Sequence, residues 1–179
     1  MAQSPVVQVA LEEFVKLRDE IAGRSTAQWT VLGLNATVSA ATVGFVLANH
    51  ADRNLLLLLP LLTPALGLLF IDHALNIFQI GTYINDVLKP AIRKEIGSAT
   101  LFGYEEWVRR WEHQTLWRLL SFGIPLVVLF TIVPLAALLS TFPAETTLSP
   151  IWFLWLAGVL FTVVEIGFWS WFFKRLLFG

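Results

Sequence analysis

The chain has no cysteine. That excludes a disulfide framework, a thiol nucleophile and a cysteine-ligated metal. Charge is also scarce: Asp, Glu, Lys and Arg make up 14% of the 179 residues, against about 25% in an ordinary soluble domain. Net charge is −1, so no global field draws in nucleic acid, and no nucleic-acid partner is expected. The three histidines, His50, His73 and His113, are too scattered to bracket a metal or a haem. Asp72-His73 is a local pair with no third partner in sight. The phosphate-loop, nucleophile-elbow and zinc-helix motifs are all missing. No catalytic residue, metal site or cofactor is therefore expected, and the chain reads as a non-enzyme. Residues Met1–Arg24 carry several charges and no continuous apolar core, so no signal peptide is expected there.

What is abundant is apolar side chain, at 56% of residues with a mean hydropathy of +0.70. It is gathered into four stretches, each reaching the ~20 residues that cross ~30 Å of hydrocarbon. In lipid the backbone must bond to itself, so such continuous segments are helices. The fold class expected is an all-α membrane protein with four transmembrane helices, an N-terminal amphipathic helix and a helical cytoplasmic loop. The expected boundaries are a cytoplasmic amphipathic helix over 1–27, a first span over 28–49 and a second over 55–88 that extends into the cytoplasm. A helical cytoplasmic loop follows over 89–115, then a third span over 116–139, a fourth over 151–173 and a cytoplasmic tail over 174–179.

Orientation follows from the twelve Lys and Arg residues. All but Arg53 fall in the arm, in the loop between spans two and three, or in the tail. Basic residues favour the cytoplasmic side, so both termini are expected there, in an inner (cytoplasmic) membrane. Trp29, Trp117, Trp169 and Trp171 fall near inner span ends and Trp152 and Trp155 near an outer one. This is the distribution of an aromatic belt at the headgroups.

In the arm, Val7, Leu11, Phe14, Leu17 and Ile21 recur at helical spacing with mixed charges opposite, a pattern that suits packing against another helix better than a membrane surface. The second span outruns the bilayer, since Leu55 to Leu88 is about 50 Å of helix. Pro60 and Pro64 are expected to kink its outer half. Near its inner end Asp72, Asn76, Gln79, Tyr83 and Asp86 share one face, either solvated or lining a vestibule. Ile77, Ile80, Ile84 and Leu88 share another that wants an apolar partner. Lys89-Pro90 is expected to end or bend this helix, with at most a turn or two to Ile96 before the breakers Gly97-Ser98 and Gly103. A short helix over Tyr104–Gln114 would present Trp107 and Trp111, either to the interface or to a cytoplasmic protein partner.

Three features bear on function. Ala36, Ala40, Gly44 and Ala48 repeat every four residues on span one, which lets a helix approach closely, within the chain or between copies. Glu165 lies in span four about 13 Å inside its basic end. A carboxylate at that depth needs a partner, water or a proton, and Arg118 and His73 are the candidate partners. Asn35 is a second intramembrane polar group suited to an interhelical hydrogen bond. Its Asn35-Ala36-Thr37 glycosylation pattern is irrelevant inside a membrane. Glu165, Asp72, His73, Asn76, Gln79, Asn35 and Arg118 are thus the candidates for a polar or ion path.

The run Gln79-Ile80-Gly81-Thr82-Tyr83-Ile84-Asn85-Asp86-Val87-Leu88-Lys89-Pro90, followed by Tyr104-Glu105-Glu106-Trp107, resembles a family of small prokaryotic four-span membrane proteins. These carry a Q-I-x-x-Y-I, L-x-P and W-E pattern after the second span, and an acidic amphipathic helix before the first. Glu106-Trp107 reverses the last element of that pattern, and Trp111-Glu112 keeps it. The resemblance covers about a third of the chain. It implies a prokaryotic origin and a shared fold, and transfers no catalytic residue. Three functional classes follow: a homo-oligomeric pore or channel-like assembly acting as a membrane effector; a non-conducting anchor or scaffold that recruits a cytoplasmic protein; and a small transporter, disfavoured because no inverted repeat is evident.

Overall fold

A computed structural model describes residues 5–97, 123–143 and 149–178, with side chains up to residue 174. The described residues are helical and include no strand. Three helices are long and apolar enough to cross a membrane: Pro5–Asn49, Arg53–Ile96 and Pro150–Lys174. Ile124–Ser140 is apolar but shorter. Residues 98–122, which hold Trp107, Trp111, His113, Trp117 and Arg118, lie outside the described set, as does Glu145.

The arm and the first span, expected as separate helices over 1–27 and 28–49, form one helix, α1 (Pro5–Asn49). The physical reason is that nothing between them breaks a helix. No proline follows Pro5, and a lone Gly23 costs only about 1 kcal/mol relative to alanine. Thr26 and Thr37 turn their hydroxyls back to the carbonyls of Ala22 and Gly33, at 3.0 and 2.8 Å, so neither competes for an alternative backbone conformation. His50, at φ 48°, stops the helix, and the Ala51 N–H closes on the Val46 carbonyl at 3.2 Å.

The second long helix starts as a 3₁₀ turn, Arg53–Leu57, capped by Asp52, whose carboxylate accepts the Asn54 N–H at 2.9 Å. It continues as α2 (Leu58–Tyr83), a π-turn at Ile84–Leu88, and α3 (Lys89–Ile96). Pro60 sits in the first turn of α2 and the helix runs through Pro64. Lys89-Pro90 does not end it. The chain stays helical to Ile96 and stops at Gly97, one of the expected breakers, in the left-handed conformation at φ 70°. A π-turn followed at once by proline recurs after α4 (Ile124–Val127). There the π-turn Val128–Ile132 leads into α5 (Val133–Ser140) with Pro134 in its first turn. Proline lacks an N–H and its ring collides with the carbonyl four residues back; a wider turn before it relieves the collision but not the missing donor. The last helix is α6 (Pro150–Phe178).

The described chain forms two compact units. The first joins residues 5–28 of α1 to residues 73–97 of the second long helix. Its core is Ile84, Leu88 and Ile92, against which Ala10, Phe14, Leu17, Ile21 and Ile80 pack. Residues four apart on an α-helix drift by about 40° per step around the axis. The π-turn takes up part of that drift and helps keep Ile80, Ile84, Leu88 and Ile92 in one cluster. Ile80, Ile84 and Leu88 of the apolar face read from the sequence thus meet Phe14, Leu17 and Ile21 of the arm, while Ile77, Val7 and Leu11 are not in that cluster. Tyr83 adds a clasp by donating its hydroxyl to Glu13 Oε1 at 2.9 Å.

The second unit holds the rest of α1 and α2 together with α4, α5 and α6. Its close approaches are made at glycines. A Cβ on Gly158 would lie 3.1 Å from Pro60 and 3.2 Å from Leu138. Trp155 donates its indole N–H to the Leu138 carbonyl at 2.9 Å and makes edge contacts with Phe142 and Trp152. This ring cluster joins the end of α5 to the start of α6. Outward, the unit is apolar: Leu47, Leu139, Phe153 and Leu160 are each more than 60% exposed. Exposed apolar surface on that scale suits a lipid solvent.

Candidate functional site: a polar core among apolar helices

The buried stripe of α6 is Gly158, Thr162, Glu165, Trp169 and Phe172, spaced by four, three, four and three. Glu165 is fully buried in it. Trp169, one turn on, donates its indole N–H to Glu165 Oε1 at 3.1 Å. Glu165 Oε2 is buried with no hydrogen-bond partner among the described residues. The carboxyl fits because α2 has Gly67 opposite. A Cβ on Gly67 would collide with Glu165 Oε1 and lie 3.1 Å from Phe130. The rings of Phe70, Phe130 and Trp169 stand 5.8–6.1 Å apart, centroid to centroid. Phe130 is completely buried. The result is a carboxyl in an aromatic box with one neutral donor.

A second polar cluster lies one turn away along α2. Thr63, four residues before Gly67, donates its hydroxyl to Asn35 Oδ1 at 3.0 Å, and both side chains are fully buried. Asn35 Nδ2 in turn donates to the Leu129 carbonyl at 3.3 Å. The reason that carbonyl is available lies in the π-turn. Its bonds run five residues forward, as from the Val133 N–H to the Val128 carbonyl. The next bond in that register would join Leu129 to Pro134, which has no N–H. Asn35 supplies the missing donor, so the expected interhelical hydrogen bond is made, to a backbone group that proline left unpaired. Ser39, one turn along α1, has a buried hydroxyl oxygen with no partner among the described residues. Thr162 is satisfied by its own helix, at the Gly158 carbonyl.

Other sequence candidates fall elsewhere. The buried face of α1 is Val31, Asn35, Ser39 and Val46. The small-residue row is not on it: Ala36 is half-buried, and Ala40, Gly44 and Ala48 are exposed. A Cβ on Gly44 would meet nothing within 4 Å. Packing among the described residues thus does not account for that row. Of the polar face of the second long helix, Asp72, Gln79, Tyr83 and Asp86 are exposed and Asn76 is half-buried. His73 is half-buried, its Nδ1 without a hydrogen-bond partner among the described residues. Glu165 takes its hydrogen bond from Trp169, a partner not anticipated; Arg118 lies outside the described residues.

Sequence reasoning missed Gly67 and Phe130. The one signal for Gly67 was a glycine in an apolar helix with two prolines upstream. Trp169 was read only as a belt residue, though its spacing of four from Glu165 places both on one face. An apolar groove of about 320 Å³ also opens between α1, the start of the second helix and α5, lined by Val43, Val46, Leu59, Val133 and Ala137. It offers no charged group. No cluster of three His, Asp or Glu suited to a metal occurs among the described residues.

Comparison with protein-family models, with curated proteins and with solved structures finds no match. The described residues define a helical class, with three helices long and apolar enough to cross a membrane and a buried carboxyl between two of them.

Proposed function

We propose that the chain is a four-span protein of the inner (cytoplasmic) membrane, with both termini in the cytoplasm, whose copies assemble into a channel-like pore that acts as a membrane effector. Ile124–Ser140 supplies the described part of the third span. The basic residues give the orientation, and the resemblance to small prokaryotic membrane proteins supports the choice of membrane. The reading assigns no catalysis and no cofactor. Its partners are the bilayer and further copies of the same chain.

The observation that carries it is the outward face of α1. Small residues there leave the backbone open to a neighbouring helix, and the chain's own core uses the opposite face. The exposed row Asp72, Gln79 and Asp86, with Asn76 beside it, would then line an inner vestibule. The test is mass in detergent and ion flux in proteoliposomes. The wild type is expected to run as an oligomer and to conduct, and Gly44→Leu to lower both. A monomeric mass for the wild type overturns the reading.

A non-conducting scaffold that recruits a cytoplasmic protein is the second reading. It is favoured by the separate compact unit built from the arm and the far end of the second helix, which has a core of its own. Oligomers without flux, together with a partner captured through Trp107 and Trp111, would support it instead.

A further inference from the structure

Glu165 is the one fully buried acidic side chain among the described residues. Its two oxygens are in different situations. Oε1 accepts the Trp169 N–H and lies over Gly67, where the absent Cβ leaves room for it. Oε2 is equally buried and has no hydrogen-bond partner among the described residues. A carboxylate wants donors on both oxygens and a positive charge nearby; a carboxylic acid has one accepting oxygen and one that carries a proton. One neutral donor, on Oε1, suits the second pattern better than the first, with the Oε2 hydroxyl left without an acceptor among the described residues.

The surroundings agree. The described groups beside the carboxyl are Gly67 from α2 and Trp169 from its own helix, with the rings of Phe130 and Phe70 next to them. None of these four titrates or carries charge. Of the titratable residues next along these helices, Asp72 on α2 and Lys174 on α6 are exposed and His73 on α2 is half-buried. No ion pair forms at Glu165 among the described residues.

We propose that Glu165 is a proton-binding site, a carboxylic acid with its proton on Oε2, enclosed by Phe70, Phe130 and Trp169. Releasing the proton to water leaves a carboxylate that needs hydration. The rings then part, and the contact between Gly67 and Glu165 loosens. Proton binding at this carboxyl therefore holds α2 against α6. The inference rests on these helices lying in a membrane and stands whether or not the assembly conducts.

The test is infrared spectroscopy of the full chain in lipid vesicles across a pH series, with Glu165→Gln and Trp169→Phe alongside. At neutral pH the wild type should show the carbonyl stretch of a protonated acid, and Glu165→Gln should lose it. In Trp169→Phe the band should persist and move to higher frequency, because the acid carbonyl has lost its donor. A wild-type spectrum whose difference from Glu165→Gln contains only carboxylate bands overturns the proposal. If Glu165→Gln does not fold, the comparison of wild type with Trp169→Phe decides: no shift in the protonated-acid region overturns it equally.

Discussion

At the scale of single residues, the contact between Gly67 and Glu165 is the tightest demand the bundle makes. Gly67→Ala should destabilise the protein by about 1–3 kcal/mol, the usual cost of overpacking a closed core, and thermal unfolding in micelles will measure it. A fully stable Gly67→Ala would mean the carboxyl is not held where the structure puts it. Asn35→Ala removes both a donor and an acceptor. Interhelical hydrogen bonds in membranes average about 0.6 kcal/mol, with an upper range near 1.7. Leaving the Leu129 carbonyl unpaired puts this one toward the upper end, read as a lowered unfolding midpoint. Glu165 and Asn35 were legible in the sequence because a polar group in an apolar run stands out by itself. Their partners were not. Gly67 and Phe130 become a site only when α2 and the π-turn are brought against α6, and no local pattern encodes that meeting.

At the scale of elements, the arm of α1 is held by a short apolar line and a clasp. Leu88→Ala should cost about 2–4 kcal/mol in that unit. It should speed hydrogen exchange over residues 5–28 while leaving the exchange of α6 unchanged. The clasp predicts a pH dependence. Glu13, through the hydrogen bond it accepts and through its charge, raises the Tyr83 hydroxyl above its ordinary value of 10.0. The neutral phenol is thus favoured in the folded arm. The contribution is fully present below the ordinary tyrosine value and lost as pH rises through the raised one, where tyrosinate meets carboxylate. Exchange in the arm should accelerate in that alkaline window for the wild type, and Tyr83→Phe should abolish the step. The apolar faces of this unit were readable as helical periodicity. The unbroken α1 was not, because Gly23-Arg24-Ser25-Thr26 has the composition of a linker while none of its members breaks a helix. Nor were the π-turns: proline announces a disturbed helix without saying whether it bends, ends or widens.

At the scale of the whole molecule, the membrane class was legible from composition and run length alone, which depend on no pairing of elements. The use of the small-residue row was not. A row of alanines and glycine marks where a helix can approach, not which helix does. The structure gives the interior of the bundle to Asn35, Ser39 and Val46, leaving Ala40, Gly44 and Ala48 outward. That reversal is the basis for reading the protein as an assembly of copies. The most direct measurement is ion flux through proteoliposomes carrying purified protein, taken together with its mass in the same lipid, for the wild type and Gly44→Leu. Oligomeric mass and flux are expected in the wild type, with a parallel loss of both in the variant. Wild-type flux from a monomer, or an intact oligomer that carries no ions, would contradict it.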